Sequence, residues 1–158
     1  MTDWDQRFLD LAEHIAQWSK DPSTKTGAVI VAPDRRIVSL GYNGFPRGYP
    51  DWPEIYADRE RKYKIIVHCE RNAMLFAREP LVGCTLYTWP LASCSVCAAM
   101  VVQTGIKRCV APKLPEHLRE RWGADISLSK NIFEWGGVEL VEAGRVVSGQ
   151  INKLLELA

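Results

Sequence analysis

Two short stretches decide the fold of this chain: Val67-His68-Cys69-Glu70-Arg71-Asn72-Ala73 and Ser93-Cys94-Ser95-Val96-Cys97. Each stretch carries metal-binding side chains at the start of an apolar helical pattern. Cys94 and Cys97 are three residues apart, so both thiols can face one ion from the same side of a helix. His68 begins the other helix and can reach the same point only if the two helices lie side by side. We therefore expect the rest of the chain to place these stretches face to face.

The chain on either side of these stretches alternates between helical and extended patterns. Apolar residues spaced three and four apart predict an amphipathic helix over residues 4–18, which Pro22 cannot continue. Apolar runs at 26–31 and 36–41 flank a turn cluster and predict an antiparallel hairpin. Further on we expect a helix at 68–78, a strand at 84–89, a helix at 94–103, a strand at 106–111, helical pieces over 115–135, a strand at 138–141 and a short helix at 151–157.

This order of elements predicts an α/β fold with three layers, α-β-α, around a mixed five-stranded sheet. The strand–helix–strand steps after residue 80 favour parallel neighbours that are joined by right-handed crossovers. A length of 158 residues suits a single domain with a sizeable core. We expect that domain to span residues 1–158, with its core at about 5–142 and with residues 143–158 as a C-terminal extension.

The composition argues against several classes of function. Hydrophobic residues make up 47% of the chain and charged residues 25%, as in ordinary soluble globular proteins. A net charge of +1 gives no general attraction to polyanions, so we expect no polynucleotide partner. No apolar run approaches the roughly 18 residues of a membrane span, and the N-terminus lacks signal-peptide features. We therefore expect a cytoplasmic protein without a membrane partner.

The cysteines indicate metal chemistry more strongly than disulfide bonding. The chain has five cysteines, an odd number without the dense spacing of a secreted disulfide scaffold. In a reducing compartment, a Cys-x-x-Cys pair is more often metal-binding or redox-active than a structural disulfide. The pair at Cys94 and Cys97 is therefore the natural starting point for a metal site.

His68, Cys94 and Cys97 predict a zinc site with one open coordination position. Catalytic zinc sites commonly have three protein ligands and a water in the fourth position. The metal lowers the pKa of that water, and a nearby carboxylate can then carry protons from the water to a leaving group. Glu70 lies two residues from His68 and suits this general acid/base role, because a glutamate ligand would close the site and make it structural.

Other uses of the same residues stay open at this point. A thioredoxin-like redox pair usually follows the first strand of a βαβ unit and needs no His-x-Glu partner. A structural zinc would need a fourth ligand, for which Cys84 and Cys109 are available, although both lie in strand-like runs typical of buried cysteines. A Cys–His hydrolase with Cys94 or Cys97 as nucleophile would leave the second cysteine and Glu70 unexplained.

A glycine-rich loop follows the second predicted strand directly and reads Gly41-Tyr42-Asn43-Gly44-Phe45-Pro46-Arg47-Gly48. Its glycines and proline indicate a tight backbone path, and loops at strand ends often carry binding sites. Asn43 could hydrogen-bond a sugar hydroxyl and Arg47 could bind a phosphate. A plain turn without a ligand explains the spacing equally well.

Two polar segments allow both a plain and a functional interpretation. The segment before the first strand is either a solvated loop or a phosphate site that uses Lys20, Ser23 and Lys25. Residues 49–64 are polar and aromatic, with charges that alternate in sign. This alternation favours a solvated helix or a long loop over a nucleic-acid patch.

Several motifs together resemble one known family. Zinc nucleobase deaminases carry His-x-Glu followed by Pro-Cys-x-x-Cys, and the stretches around His68 and Cys94 are similar to that pattern. The Gly-Tyr-Asn-Gly-x-Pro-x-Gly loop at 41–48 narrows the resemblance to the deoxycytidylate (dCMP) deaminases. The resemblance covers about residues 5–142 and also includes Ser19-Lys20-Asp21-Pro22, Gly27-Ala28-Val29-Ile30-Val31 and Gln103-Thr104-Gly105-Ile106-Lys107.

The resemblance implies a cytidine-deaminase-like fold and a zinc-dependent hydrolysis of dCMP to dUMP and ammonia, which supplies dUMP for thymidylate synthesis. It implies that His68, Cys94 and Cys97 hold one Zn²⁺ per subunit and that Glu70 is the general acid/base. It further implies a small-molecule nucleotide substrate and a homo-oligomer, either a dimer or a hexamer.

Substrate and effector contacts follow from the same resemblance. Asn43 matches a residue that lies beside the deoxyribose, and the phosphate is expected near Lys20, Ser23 and Lys25. In regulated family members the glycine-rich loop lies near an allosteric dCTP/dTTP site. We therefore expect a nucleotide effector, accompanied by Mg²⁺, near five residues of this loop: Gly41, Tyr42, Gly44, Arg47 and Gly48.

Two positions depart from the family pattern. Cys69 stands where the family usually has Ala, and its thiol is a candidate spare ligand or an oxidation-sensitive group. Ser93 stands where the family usually has Pro, which leaves the loop before Cys94 less restricted. These changes leave open a modified pyrimidine nucleotide or another amino-bearing base as the substrate. A zinc-stabilised nucleotide-binding protein without turnover is a further alternative, although it would have no need for Glu70.

Overall fold

The computed structural model describes residues 1–144. In chain order it contains α1 (Asp3–Ala16), β1 (Gly27–Val31), β2 (Ile37–Tyr42), α2 (Pro53–Ala57), α3 (Arg59–Ile65), α4 (Cys69–Phe76), β3 (Thr85–Trp89), α5 (Ser95–Gln103), β4 (Arg108–Pro112), a 3₁₀ turn (Glu116–Leu118), α6 (Arg119–Trp135) and β5 (Glu139–Ala143). The short helix predicted at 151–157 lies outside the described residues. Within residues 1–144, no helix combines the length and the apolar character that a membrane crossing requires.

The strands form one mixed sheet in the order β2-β1-β3-β4-β5. β1 and β2 form the predicted antiparallel hairpin, in which Gly27 lies opposite Tyr42. β1 also pairs with β3 in antiparallel orientation, whereas β3–β4 and β4–β5 are parallel pairs. The prediction of a mixed five-stranded sheet with parallel neighbours after residue 80 is confirmed.

Helices cover both faces of this sheet, as the α-β-α prediction requires. On one face α1 packs on the sheet within a buried cluster that includes Phe8, Leu9, Val29, Tyr87 and Val110. On the other face α4, α5 and α6 pack within a second cluster that includes Ile30, Ala73, Leu86, Val101 and Phe133. The division follows from the strand period of two, because Val29 and Ile30 point to opposite faces of the sheet. The two helices that carry the metal-binding residues therefore lie side by side.

The segment after the glycine-rich loop is helical, as one of its two predicted forms requires, but it is not fully solvated. It forms two short helices, α2 and α3, and the Asp58 side chain caps α3 by accepting a hydrogen bond from the backbone N–H of Arg61. Lys62 of α3 is only 5% exposed, so the expectation of a fully solvated segment is wrong at this residue. Its charge partner is Asp21, which lies 41 residues earlier in the chain and cannot be recognised from local alternation.

The helix that begins at the His-x-Glu motif is shorter than predicted, because it ends at Phe76 and the backbone of Ala77 is extended. His68 is its N-cap residue. Gly41 of β2 allows this helix to approach the sheet closely. A Cβ atom at Gly41 would lie 2.2 Å from the carbonyl oxygen of Cys69, a distance that real side chains do not reach.

Candidate active site

A cleft that is partly open to solvent lies over the N-terminal ends of α4 and α5. Its walls come from three helices, α3, α4 and α6, and from three other segments: the loop after α1, the glycine-rich loop and the segment that precedes α5. The residues that line it are Asp21, Thr24, Thr26, Asn43, Lys62, Tyr63, Ile66, His68, Cys69, Glu70, Leu91, Ala92, Cys94, Trp122, Asp125 and Ile126.

Three potential metal ligands meet beside this cleft, and two of them, His68 and Cys94, line it. His68 Nδ1 lies 3.5 Å from the Sγ atoms of both Cys94 and Cys97, and the ligand atoms of the three residues all lie within 4.8 Å of one another. His68 and Cys94 are the N-cap residues of α4 and α5, and neither side chain caps its own helix. Both side chains are therefore available to a shared ion, and a Cys₂His set suits zinc.

The two thiols of this cluster differ in acidity. The pKa of Cys94 is lowered to about 4, chiefly because its sulfur accepts a hydrogen bond from Cys97 and further because it lies beside His68. The pKa of Cys97 is raised, because its proton is held by Cys94 and because the group is buried. Cys94 is therefore the more acidic of the two thiols.

Glu70 lies in the first turn of α4 and is 5% exposed. Glu70 lines the same cleft as His68 and Cys94. The neighbouring Cys69 thiol donates a hydrogen bond to Glu70 Oε2 at 3.1 Å. Glu70 is therefore a buried carboxylate beside the metal-binding cluster, as a proton carrier requires.

Cys69, the first departure from the family pattern, does not join the cluster of potential ligands. Burial, followed by the nearby Glu70 carboxylate, raises the pKa of this thiol well above its usual value. It therefore remains a protonated hydrogen-bond donor at neutral pH. Cys84 and Cys109, the candidate fourth ligands of a structural zinc, are also buried and stand outside the cluster.

Asn43 lines the cleft, but its side-chain amide is largely occupied within the protein. Its Oδ1 accepts the backbone N–H of Thr26 at 2.8 Å. Its Nδ2 donates to the carbonyl oxygen of Thr24 at 2.8 Å and, more weakly, to Asp21 at 3.4 Å. These bonds tie the glycine-rich loop to the segment before β1 and leave one lone pair of Oδ1 for a ligand.

A buried ion pair, missed by the sequence analysis, also lines the cleft. Lys62 Nζ lies 2.8 Å from Asp21 Oδ1, and the side chains of these residues are 7% and 1% exposed. Asp21 also accepts hydrogen bonds from the backbone N–H and the hydroxyl of Ser23 at 2.9 and 2.8 Å. Lys62 contacts the same hydroxyl. Because buried charges need partners of this kind, the pair fixes the segment before β1 against α3.

The residues predicted to bind phosphate are placed differently from one another. Ser23 reaches the wall of the cleft through its contact with Lys62. Lys20 forms an exposed ion pair with Asp51 at 2.7 Å, and Lys25 Nζ lies 3.4 Å from the carbonyl oxygen of Gln17. Lys20, Ser23 and Lys25 are not among the residues that line the cleft.

Most of the glycine-rich loop supports α4 from outside the cleft. Gly41 packs against this helix. The carbonyl oxygen of Tyr42 accepts a hydrogen bond from Asn72 Nδ2 at 2.7 Å. Gly44 and Val67 each donate a backbone hydrogen bond to the carbonyl oxygen of the other. The two remaining residues of the predicted effector set lie further along the loop. The Arg47 guanidinium lies over the ring of Phe76 at 5.4 Å, and Gly48 has a φ of 78°, a left-handed conformation that suits glycine.

Helix α6 lines one side of the cleft with Trp122, Asp125 and Ile126. Arg121 of α6 donates a hydrogen bond to the hydroxyl of Tyr63 at 2.8 Å, which connects the two walls at the rim. The sequence analysis assigned only helical structure to this region. Its one usable signal was an aromatic residue within a predicted helix, and that signal is too common to indicate a site.

Comparisons with known proteins agree with this arrangement. Residues 2–113 match the model of the cytidine and deoxycytidylate deaminase zinc-binding region. An uncharacterized deaminase in the luxG 3′ region of Aliivibrio fischeri is 43% identical over 137 residues, which cover 87% of this chain and 91% of that protein. The deoxycytidylate deaminase of Mus musculus is 37% identical over 142 residues, which cover 86% of this chain and 77% of that protein.

The fold is also shared with a solved structure. The dCMP deaminase of the cyanophage S-TIM5, in complex with dCMP and dUMP, superposes with a TM-score of 0.71 over 90% of this chain and 99% of that one, at 20% identity. At this identity the likeness establishes the common fold, whereas the match of the family model covers the zinc-binding segments themselves. The chain therefore belongs to the cytidine and deoxycytidylate deaminase family.

Proposed function

We propose that this protein is a zinc-dependent hydrolase that deaminates dCMP to dUMP and ammonia. The observation that carries the proposal is that His68, Cys94 and Cys97 form one cluster of potential ligands beside a cleft that Glu70 also lines. The substrate is argued from relatives, several of which are named deoxycytidylate deaminases, including those of Mus musculus and Mycobacterium phage D29.

In this proposal His68, Cys94 and Cys97 hold the zinc ion, which the matched zinc-binding region also supports. Bound zinc would supply a Lewis acid that makes water nucleophilic at neutral pH. The burial of Cys97 favours a site of low dielectric constant. A site of this kind strengthens the electrostatic effect of each nearby charge.

Glu70 moves the protons in the proposed reaction. Its carboxylate accepts one proton from the attacking water, and in its acid form protonates N3 of the cytosine ring. As the C4–N bond breaks, Glu70 transfers the second proton of the water to the departing amino group, which leaves as ammonia. The C4–O bond replaces the C4–N bond, so the reaction consumes one water and needs no oxidant.

The substrate contacts extend the proposal. Asn43 lines the cleft with a free lone pair on Oδ1, which can accept a hydroxyl of the deoxyribose. Ser23 contacts Lys62, which is the one lysine or arginine among the described residues that line the cleft. This arrangement favours Ser23 over Lys20 and Lys25 as the group nearest to a bound phosphate.

Further features rest on the family resemblance. We extend the proposal to a cytoplasmic homo-oligomer, either a dimer or a hexamer. We also place a nucleotide effector with Mg²⁺ beside the loop of residues 41–48. Size-exclusion chromatography with light scattering, with and without dCTP or dTTP and Mg²⁺, tests both features.

The decisive test of the proposed function is an ammonia-release screen of the zinc-loaded protein. The substrates are dCMP, CMP, dCTP, cytidine, 5-substituted dCMP and purine nucleotides. We expect dCMP to react fastest. Release only from a modified pyrimidine would change the substrate. Nucleotide binding without release from any cytosine compound would replace the proposed enzyme with a non-catalytic binder.

A further inference from the structure

Helix α5, which begins directly after Cys94 and contains Cys97, has no capping hydrogen bond from its own N-cap side chain. Cys94 is the N-cap residue of α5, and its side chain makes no capping hydrogen bond. The free backbone N–H groups of a helix start need an acceptor, which serine, threonine or aspartate usually supplies from the N-cap position. The Cys94 side chain offers no oxygen acceptor. An oxygen acceptor for the first turn of α5 must therefore come from another part of the chain or from solvent.

Asp125 of α6 supplies the missing acceptor from 30 residues further along the chain. Its Oδ2 accepts the backbone N–H of Ser95 at 3.1 Å, and its Oδ1 accepts the Ser95 hydroxyl at 2.6 Å. Ser95 is the first residue of α5 and directly follows Cys94. One carboxylate thus accepts hydrogen bonds from both the backbone N–H and the hydroxyl of Ser95, the residue next to the potential zinc ligand Cys94.

Two electrostatic effects strengthen the hydrogen bonds between Asp125 and Ser95. A carboxylate at a helix N-terminus interacts favourably with the helix dipole. Hydrogen bonds to an ionised acceptor are roughly twice as strong as those between neutral groups. Ser93 stands before Cys94 in place of the family's proline, so the loop that enters α5 lacks the backbone restriction that proline provides.

We propose that Asp125 is a positioning residue, which holds Cys94 and Cys97 in place for zinc through its two hydrogen bonds to Ser95. Asp125 also lines the cleft together with Trp122 of the same helix. The wall of the cleft and the metal-binding helix are thus joined in one unit. Asp125 itself stands outside the cluster of potential ligands, and α6 lies beyond the residues that the family model matches.

The inference rests on the zinc ligands of the proposed function, and its test uses no substrate. The zinc-loaded parent and variants are mixed with excess chromophoric chelator, and the first-order rate of zinc transfer is measured. Asp125→Ala and Ser95→Ala should lose zinc faster, with Asp125→Ala faster by about tenfold or more, as for other residues that orient metal ligands. The double variant should resemble Asp125→Ala, because both changes break the same interaction.

Two further variants separate positioning from general stability. Asp125→Asn can still accept the N–H of Ser95 and donate to its hydroxyl, so its zinc-loss rate should lie closer to that of the parent than to that of Asp125→Ala. Lys130→Ala is the matched control, because it removes an ion pair between α6 and Glu142 at 2.9 Å without touching the metal-binding segments.

The outcomes are distinguishable. Equal rates of zinc loss for Asp125→Ala, Ser95→Ala and Lys130→Ala would overturn the positioning role. If circular dichroism shows that Asp125→Ala does not fold, the zinc-loss rates of Ser95→Ala and Asp125→Asn still distinguish a positioning role from a general effect on stability. A parent protein that binds no zinc at all would instead refute the ligand set of the proposed function.

Discussion

Glu70 is a buried carboxylate that accepts a hydrogen bond from the thiol of Cys69. A carboxylate is costly to bury unless hydrogen bonds, an opposite charge or a metal ion compensate for the lost water. Its position beside three potential metal ligands gives the function that we propose. At the scale of single residues, the molecule is therefore organised to keep one proton carrier and one metal site in contact with the same cleft.

Replacement of this carboxylate tests its role directly. We expect Glu70→Gln to retain one zinc per chain and to lower kcat for dCMP deamination by about 10²–10⁴-fold, because the amide cannot carry protons. Glu79→Gln, which alters an exposed partner of Arg36, is the control and should leave kcat unchanged. Turnover by Glu70→Gln at the parent rate would refute the mechanism.

The thiol of Cys69 should not react with alkylating reagents in the folded protein. Burial raises its pKa well above the usual value, so almost no thiolate forms at neutral or mildly alkaline pH. We expect iodoacetamide to leave Cys69 unmodified in the native protein and to alkylate it after unfolding, as measured by peptide mass spectrometry. Rapid native labelling of Cys69 would instead support its alternative role as an oxidation-sensitive group.

At the scale of secondary-structure elements, close approach and buried charge decide how the site is assembled. Gly41 allows α4 to lie directly on β2, and the pair of Lys62 and Asp21 joins α3 to the segment before β1. Neither contact involves a potential metal ligand. Both set the positions of elements whose side chains line the cleft.

The contact between α4 and β2 can be tested with a single methyl group. In Gly41→Ala the new Cβ would lie 2.2 Å from Cys69 O and 2.4 Å from the backbone nitrogen of Ala73, so α4 must move. We expect a loss of about 1–3 kcal/mol or more in the free energy of unfolding, measured by urea denaturation. Zinc should also bind more weakly.

Gly44→Ala is the matched control for this substitution. It lies in the same loop, and nothing stands within 4 Å of the position that its Cβ would occupy. We expect its unfolding free energy to stay within about 0.5 kcal/mol of the parent, as for most substitutions away from the core. Equal destabilisation by both variants would mean that loop flexibility, and not the packing of α4, is responsible.

The buried ion pair should matter more than an exposed one. Lys62→Met leaves the Asp21 carboxylate buried without its cation, which typically costs about 3–5 kcal/mol of unfolding free energy. The remaining hydrogen bonds from Ser23 to Asp21 place our expectation at the lower end of that range. Lys64→Met, which breaks an exposed pair with Glu60, should cost less than about 1 kcal/mol. Similar losses in urea denaturation would contradict this account.

At the scale of the whole molecule, one polar cluster connects α1 to the parallel part of the sheet. Asp5 of α1 accepts hydrogen bonds from the Tyr87 hydroxyl at 2.8 Å and from Arg108 at 2.6 and 3.1 Å. Burial opposes ionisation of Asp5, but Arg108 and the hydrogen bonds outweigh it and hold the pKa of this carboxyl well below its usual value of 3.8. The cluster joins segments that lie far apart in sequence.

This depressed pKa predicts a defined acid sensitivity. A carboxyl with a lower pKa in the folded state contributes stability above its unfolded pKa, and that contribution is lost as the pH falls through the folded value. Urea denaturation at pH 7 and pH 3 should therefore give a smaller difference for Asp5→Asn than for the parent. Identical pH dependence in the two proteins would contradict the assignment.

Much of this molecule could be predicted from local patterns. The period of apolar residues indicated the helices and the hairpin, and the alternation after residue 80 predicted the parallel pairs that the sheet contains. The prediction of the deaminase family is confirmed by the family match. The roles of Glu70 and of the substrate-binding residues stay predictions, although His68, Cys94 and Cys97 do meet in space.

The amino-acid sequence by itself determined the metal-binding residue types, the order of the elements and the family, because these depend on spacing within a few residues. Only the tertiary structure decided that Lys62 is buried, that Gly41 serves the packing of α4, and that Asp125 caps the helix of the cysteines. The last contact joins residues 30 apart, and the pair of Lys62 and Asp21 joins residues 41 apart. The spacing of residues within one helix or strand does not indicate such contacts, because they exist only after the sheet has brought separate helices together.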